Sequence, residues 1–212
     1  MKWTLPNQIT VARMILSIVF FVLLACYDPQ MHNGALLLKV SFVVFLFAAL
    51  SDVLDGYLAR KLNQVSAFGR IVDPIMDKVM VCGGFIFLMS PVYREVISSY
   101  EQTLPHWLTG QTASNIQPWM LVVIIGREFL ISGIRGYSES IGKQFPATWS
   151  GKLKMFLQCF ALGTVLFVMA WTPNVAWTIW VKIVAVWLAV LVTLYSGIIY
   201  IVNARGLFKE DR

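Results

Sequence analysis

Four aspartates carry the chemistry this sequence is able to do. Asp52 and Asp55 are three residues apart, and Asp73 and Asp77 four apart, so each pair lies on one face of a helix. A short basic connection, Arg60 to Arg70, turns the chain between the pairs and lets them face each other. The flanking residues are apolar over long runs, where one carboxylate costs roughly 2.5–3.5 kcal/mol even on a lenient insertion scale. Carboxylates that close cannot all ionise unless cations sit among them. Hard oxygen donors select Mg²⁺, Mn²⁺ or Ca²⁺ over zinc, and four charges balance two divalent ions. Asp52, Asp55, Asp73 and Asp77 are therefore the expected metal ligands. The competing reading is structural pairing with Arg60, Arg70 and Lys78.

The residues around them fit a bulky ligand. Gly56, Ala59 and Gly69 keep side chains away from the helix backbone within about a turn of the aspartates. Arg60 stands five residues beyond Asp55 and is placed to meet a phosphate. At Asp73-Pro74 two structures are open: Asp73 caps a helix that starts at Pro74, or both lie inside a helix that tolerates the proline.

The elements that must hold these residues are membrane helices. Of 212 residues 58% are hydrophobic and only 13% charged, against about a quarter charged in a soluble domain. Apolar runs predict six spans, at 9–26, 36–58, 72–92, 117–140, 154–171 and 177–202, in one domain covering 1–212. An amphipathic stretch, Leu5 to Arg13, opens the first. The longest connection, Tyr93 to Gln117, is polar. Six spans put both termini on one side. Fourteen of the 17 lysines and arginines fall on that side or in cavities opening there, which makes it cytoplasmic. Lys39, Arg94 and Lys182 lie toward the other. The net charge of +6 reads as basic loops beside anionic lipid, with no nucleic acid as partner. Lys2 and the run ending at Cys26 are similar to a lipoprotein signal, but the segment is expected to stay as a first span. Cys26, Cys82 and Cys159 lie apart in apolar runs and read as packing residues. Trp3, Tyr27, Trp119, Trp171, Trp177 and Tyr200 read as interfacial anchors. Gly83-Gly84 and the series Gly126, Gly133, Gly136 read as sites of close helix packing.

The run from Asp52 to Asp77 resembles the complete signature of the CDP-alcohol phosphotransferases. Asp52, Asp55, Gly56, Ala59 and Arg60 are followed, after eight residues, by Gly69, Asp73 and Asp77, eight matching positions within 26 residues. The six-span layout with a cytoplasmic site is similar too. The resemblance implies displacement of CMP from a CDP-linked donor by an incoming hydroxyl. It implies that Asp52, Asp55 and Asp73 hold metal on the diphosphate, with one or two Mg²⁺ or Mn²⁺ ions. Asp77 would be the general base and a further ligand. Gly56, Ala59, Arg60 and Gly69 would complete the CDP pocket, and the protein would be a homodimer. Such chemistry needs positioning and charge neutralisation more than covalent catalysis.

Two further segments resemble the phosphatidylglycerophosphate synthase branch, which uses CDP-diacylglycerol and glycerol 3-phosphate. They are Leu5 to Arg13, and Gly126-Arg127-Glu128-Phe129 with Ser132-Gly133-Ile134-Arg135. The charges themselves agree with a phosphorylated acceptor. Arg127 lies about 10 residues from either end of its span, too deep to reach water, so it needs a polar cavity and a partner. That partner is a phosphate or the neighbouring Glu128. Arg135 is the better phosphate ligand. Lys152, Thr10 and Arg13 complete the acceptor set, Thr10 and Arg13 sharing a face at the cavity mouth, although capping and headgroup contact would use them equally well. Other acceptors, inositol phosphate or serine, stay open within the same family. From another class, a divalent-cation transporter would also use intramembrane carboxylates, but nearer the bilayer midplane and without the glycines. A bacterial inner membrane, with the site facing the cytoplasm, is the expected location.

Overall fold

The computed structural model describes residues 5–61, 67–94, 97–110, 112–142 and 149–209, with side chains described except at 5–6, 53–61, 67–71, 94, 150 and 205–209. Among these the chain is helical, without strands. Six helices are long: α1 (Leu5–Ala25), α2 (Gly34–Lys61), α3 (Ala67–Leu88), α6 (Pro118–Ser140), α7 (Trp149–Trp171) and α8 (Ala176–Lys209). Two short ones, α4 (Ser99–Gln102) and α5 (His106–Thr109), lie in the long connection after a 3-10 turn at Pro91–Arg94.

Four of the long helices, α1, α2, α7 and α8, are long and apolar enough to cross a membrane. Helices α3 and α6 match them in length, but Asp73, Asp77 and Lys78 interrupt the first, and Arg127, Glu128, Arg135 and Glu139 the second. Pro74 lies inside α3, which decides between the two structures open for Asp73-Pro74: the helix runs through both. A proline there removes one backbone donor, and the helix accommodates it within its first two turns.

Packing closes the six helices into a ring. Each touches the next in the order α1, α2, α7, α8, α6, α3 and back to α1, and α3 also touches α7 across the middle. This cross-contact is made possible by glycine. A Cβ on Gly84 would stand 2.6 Å from a methyl of Leu162 on α7, and one on Gly83 2.6 Å from the Phe21 ring on α1. Phe20, Phe45, Phe85, Leu162, Leu166 and Val186 fill the core around this seam. The Gly126, Gly133 and Gly136 series behaves otherwise: no atom lies within 4 Å of a Cβ built there. Those glycines do not bring helices of this chain together. Gly126 and Gly133 lie on an outer face of α6 with Val122 and Phe129, which are 70% and 74% exposed, while Gly136 lines a polar cavity beside the helix.

The end of the ring away from the aspartates is closed by the long connection. Ser98 and Glu101 form a capping box at α4, and Lys182 of α8, only 2% exposed, donates to Glu101 at 2.6 Å and to the Ala113 carbonyl. Tyr27 stacks on Tyr93, with ring centroids 5.0 Å apart. Burial raises both phenols above their ordinary range, with Asp28 adding to the shift of Tyr27 and Tyr27 to that of Tyr93. The anchor role expected of Tyr27 and Tyr200 is therefore corrected: both are buried, Tyr200 against the polar interior. Trp119, Trp171 and Trp177 are exposed, as anchors should be, while Trp3 is outside the described residues.

Candidate active site

Helix α1 supplies a cation where α2 and α3 bring their carboxylates. Arg13, 2% exposed, pairs with Asp52, and its Nη2 lies 2.8 Å from Asp73 Oδ1 and its Nη1 3.3 Å from Asp77 Oδ1. Thr10, one turn earlier, donates to Asp73 at 3.2 Å. The structure thus joins Asp52, Asp73 and Asp77 with Thr10 and Arg13. It places the last two on the aspartates, and Arg13 also lines a cavity beside them. Asp55, Gly56, Ala59 and Arg60 fall in α2 and Gly69 in α3, but their side chains are outside the described residues.

Two cavities flank the α3–α7 seam. One is an apolar groove of about 720 Å³ between α2, α3, α7 and the start of α8. Asp52, Asp77 and Arg13 form its polar end, and Phe45, Phe160, Gly163 and Phe167 line its length. Its α7 wall runs from Lys152 to Val168, about 24 Å at 1.5 Å per residue. The other is a polar pocket of about 530 Å³ between α3, α6, α7 and α8. Its wall carries five cations, Lys78, Arg127, Arg135, Lys152 and Lys154. Asp77 and Lys152 line both cavities.

The cations of the pocket divide by partner. Lys154 pairs closely with Glu128, and Arg127 reaches Glu128 at 3.4 Å and Ser196 of α8 at 2.6 Å. Lys78 donates to Ser132 at 2.5 Å. Arg135 and Lys152 have no hydrogen-bond or ion-pair partner among the described residues. Among the described residues Arg127 is partnered by Glu128 and Ser196, and Arg135 and Lys152 are the pocket cations without a partner.

Sequence reasoning missed Glu128 as the hub of the pocket and Arg13 as the partner of the aspartates. The signal for Arg13 was present. An arginine inside an apolar helix needs an anionic partner, and four aspartates were in hand.

A family model described as CDP-alcohol phosphatidyltransferase matches residues 3–195, most of the chain. The chain belongs to that family. Among curated relatives of this CDP-alcohol phosphatidyltransferase, a protein of Salmonella typhimurium is 33% identical over 211 residues, covering 97% of both chains. One from Haemophilus influenzae is 31% identical, covering 100% of this chain and 98% of the relative. One from Rickettsia felis is 28% identical over 96% of this chain and 97% of its own. All three are named CDP-diacylglycerol–glycerol-3-phosphate 3-phosphatidyltransferase.

CDP-alcohol phosphatidyltransferases use divalent metal ions. The donor set here fits one in kind: Asp52, Asp73 and Asp77 offer hard carboxylate oxygens from two helices around one point. As they stand, no three His, Cys, Asp or Glu among the described residues are drawn together as a cage. The oxygens are set around the guanidinium of Arg13.

Proposed function

We propose that this chain transfers the phosphatidyl group of CDP-diacylglycerol to glycerol 3-phosphate, giving phosphatidylglycerophosphate and CMP. Family membership supports the reaction class, and the names of the relatives support the two substrates. The observation in the structure that carries the reading is the meeting of an apolar groove and a cation-lined pocket at Asp77 and Lys152. A lipid donor and a phosphorylated acceptor need two such compartments with one common wall.

In this account a donor acyl chain lies in the groove and its diphosphate at Asp52, Asp55 and Asp73, beside Gly56, Ala59, Arg60 and Gly69. One or two Mg²⁺ or Mn²⁺ ions bound there would neutralise the diphosphate and stabilise departing CMP. Arg135 and Lys152 hold the acceptor phosphate, Arg135 by its planar fork of donors. Arg127 and Lys154, held on the one carboxylate of Glu128, shape the pocket and leave it a net positive charge. A free hydroxyl of the acceptor attacks the phosphorus that carries the diacylglycerol. The bond from that phosphorus to the oxygen of CMP breaks, and Asp77 takes the hydroxyl proton.

The same reading gives the protein six spans, with α3 and α6 crossing beside the apolar four. Their charges turn into the ring, as intramembrane charges must. The excess of lysine and arginine toward the site end supports cytoplasmic termini and a cytoplasmic site. The relatives support a bacterial inner membrane. The outer face of α6 (Val122, Gly126, Phe129, Gly133) supports a homodimer, because small residues beside bulky ones let two helices approach closely in lipid.

The test is purified protein with labelled CDP-diacylglycerol, Mg²⁺ and one acceptor at a time. CMP released with glycerol 3-phosphate alone supports the proposal. Release with inositol phosphate or serine instead moves the acceptor, and no release with any acceptor refutes the enzyme.

A further inference from the structure

Arg13 stands where an ion on the aspartates would stand. Its guanidinium meets three of the four signature carboxylates at once, through Nη1 to Asp52 and Asp77 and through Nη2 to Asp73. A cation held by those oxygens sits about 2.0–2.6 Å from each, so it cannot share the space with the guanidinium. The carboxylates are arranged for the larger planar cation, and among the described residues they form no cage for a smaller one.

The seat is also incomplete for arginine. Nε of Arg13 is buried and has no hydrogen-bond partner among the described residues. Arg13 has somewhere else to go. It already lines the polar end of the groove beside Asp52 and Asp77, where it would meet the donor diphosphate. Phosphate oxygens suit the fork of a guanidinium as well as carboxylates do.

We propose that Arg13 is a positioning residue that competes with divalent metal for Asp52, Asp73 and Asp77, holding the carboxylates together until an ion displaces its guanidinium toward the diphosphate. This inference rests on the metal role given to the aspartates under the proposed function, and not on the choice of acceptor. Arg13 therefore offsets part of the charge of a cluster that would otherwise repel itself within an apolar ring. Metal loading and the delivery of a phosphate-binding cation become one exchange.

The experiment is Mn²⁺ titration of the full-length protein in lipid nanodiscs, followed by electron paramagnetic resonance without substrates. Removing a competitor tightens binding, so Arg13→Gln is expected to lower the Mn²⁺ dissociation constant at least tenfold. Arg13→Lys keeps the charge but loses the fork, and is expected to fall between Arg13→Gln and the native protein. A purely structural role would move affinity the other way, because a loosened cluster binds metal less well. Unchanged or weaker Mn²⁺ binding in Arg13→Gln overturns the inference. If that variant does not yield monodisperse protein, the same result in Arg13→Lys overturns it. A native protein that binds no Mn²⁺ overturns the metal role as well, whereas native binding without the shift removes only the competition.

Discussion

Asp77 on α3 and Lys152 on α7 are shared walls of two unlike cavities, an apolar groove and a cation-lined pocket. The α3–α7 contact that divides the ring is what brings them to the same place. One side offers a lipid chain a path of about 24 Å along α7. The other offers an anion Arg135 and Lys152, two cations without a partner among the described residues.

Asp77→Asn keeps an oxygen of similar shape and loses the capacity to take a proton. Turnover with glycerol 3-phosphate is expected to fall by about 10²–10⁴. The KM for CDP-diacylglycerol should change little. Steady-state kinetics on the purified variant, with Mn²⁺ binding measured in parallel, checks this. Near-native turnover with metal still bound would remove Asp77 as the base.

Arg135→Gln and Arg127→Gln should separate. Arg135 has no partner among the described residues, so its loss is expected to raise the KM for glycerol 3-phosphate about tenfold or more, the effect of losing roughly 1.5–3 kcal/mol of a charged hydrogen bond. The donor KM should stay. Arg127 is held by Glu128 and Ser196, and its loss should lower thermal stability more than it raises that KM.

Glu128→Gln leaves Lys154 and Arg127 without their shared carboxylate. Breaking a buried ion pair on one side costs roughly 3–5 kcal/mol. The double variant Glu128→Gln with Lys154→Gln should recover a good part of the loss, which thermal melts of both single variants and the double will read as coupling. Additive losses would mean that the pair is not a unit.

The aspartate cluster was legible in the sequence because its two spacings, 3 and 4, fix helical faces whatever surrounds them. The long helices were legible for the same reason: apolar runs set their length. The ring order was not, since nothing in α2 names α7 as its neighbour. Two small elements, α4 and α5, were overlooked because four residues are too few for a periodic pattern, although the Ser98-x-x-Glu101 capping box at α4 is a local signal. Tyr27 and Tyr200 were misplaced because amphipathic residues near span ends face lipid or core equally well, and only packing chooses. The glycines divided likewise. Gly83 and Gly84 meet Phe21 and Leu162, while Gly126 and Gly133 meet nothing in this chain.

Lys182 makes the opposite end of the ring a control. Lys182→Met strips Glu101 of its partner at the far end of the fold. A drop in melting temperature is expected, with the KM values of both substrates unchanged. A changed KM for either would mean that the two ends are coupled.

Gly163 lies part-way along the groove, where a Cβ would stand 3.4 Å from the Phe45 ring. Gly163→Leu should obstruct the groove beyond that point. Donors with dioctanoyl chains should keep most of their kcat/KM, while dioleoyl donors lose at least tenfold. Equal losses on both would place the acyl chain elsewhere.

The most direct test of the two-compartment site is photolabelling with CDP-diacylglycerol that carries a diazirine near the end of one acyl chain. The account expects adducts on the distal groove wall, at Phe167, Val168, Trp177 or Val181, that unlabelled CDP-diacylglycerol competes away. Competable adducts on the polar pocket instead, at Ser132 or Arg135, would contradict it.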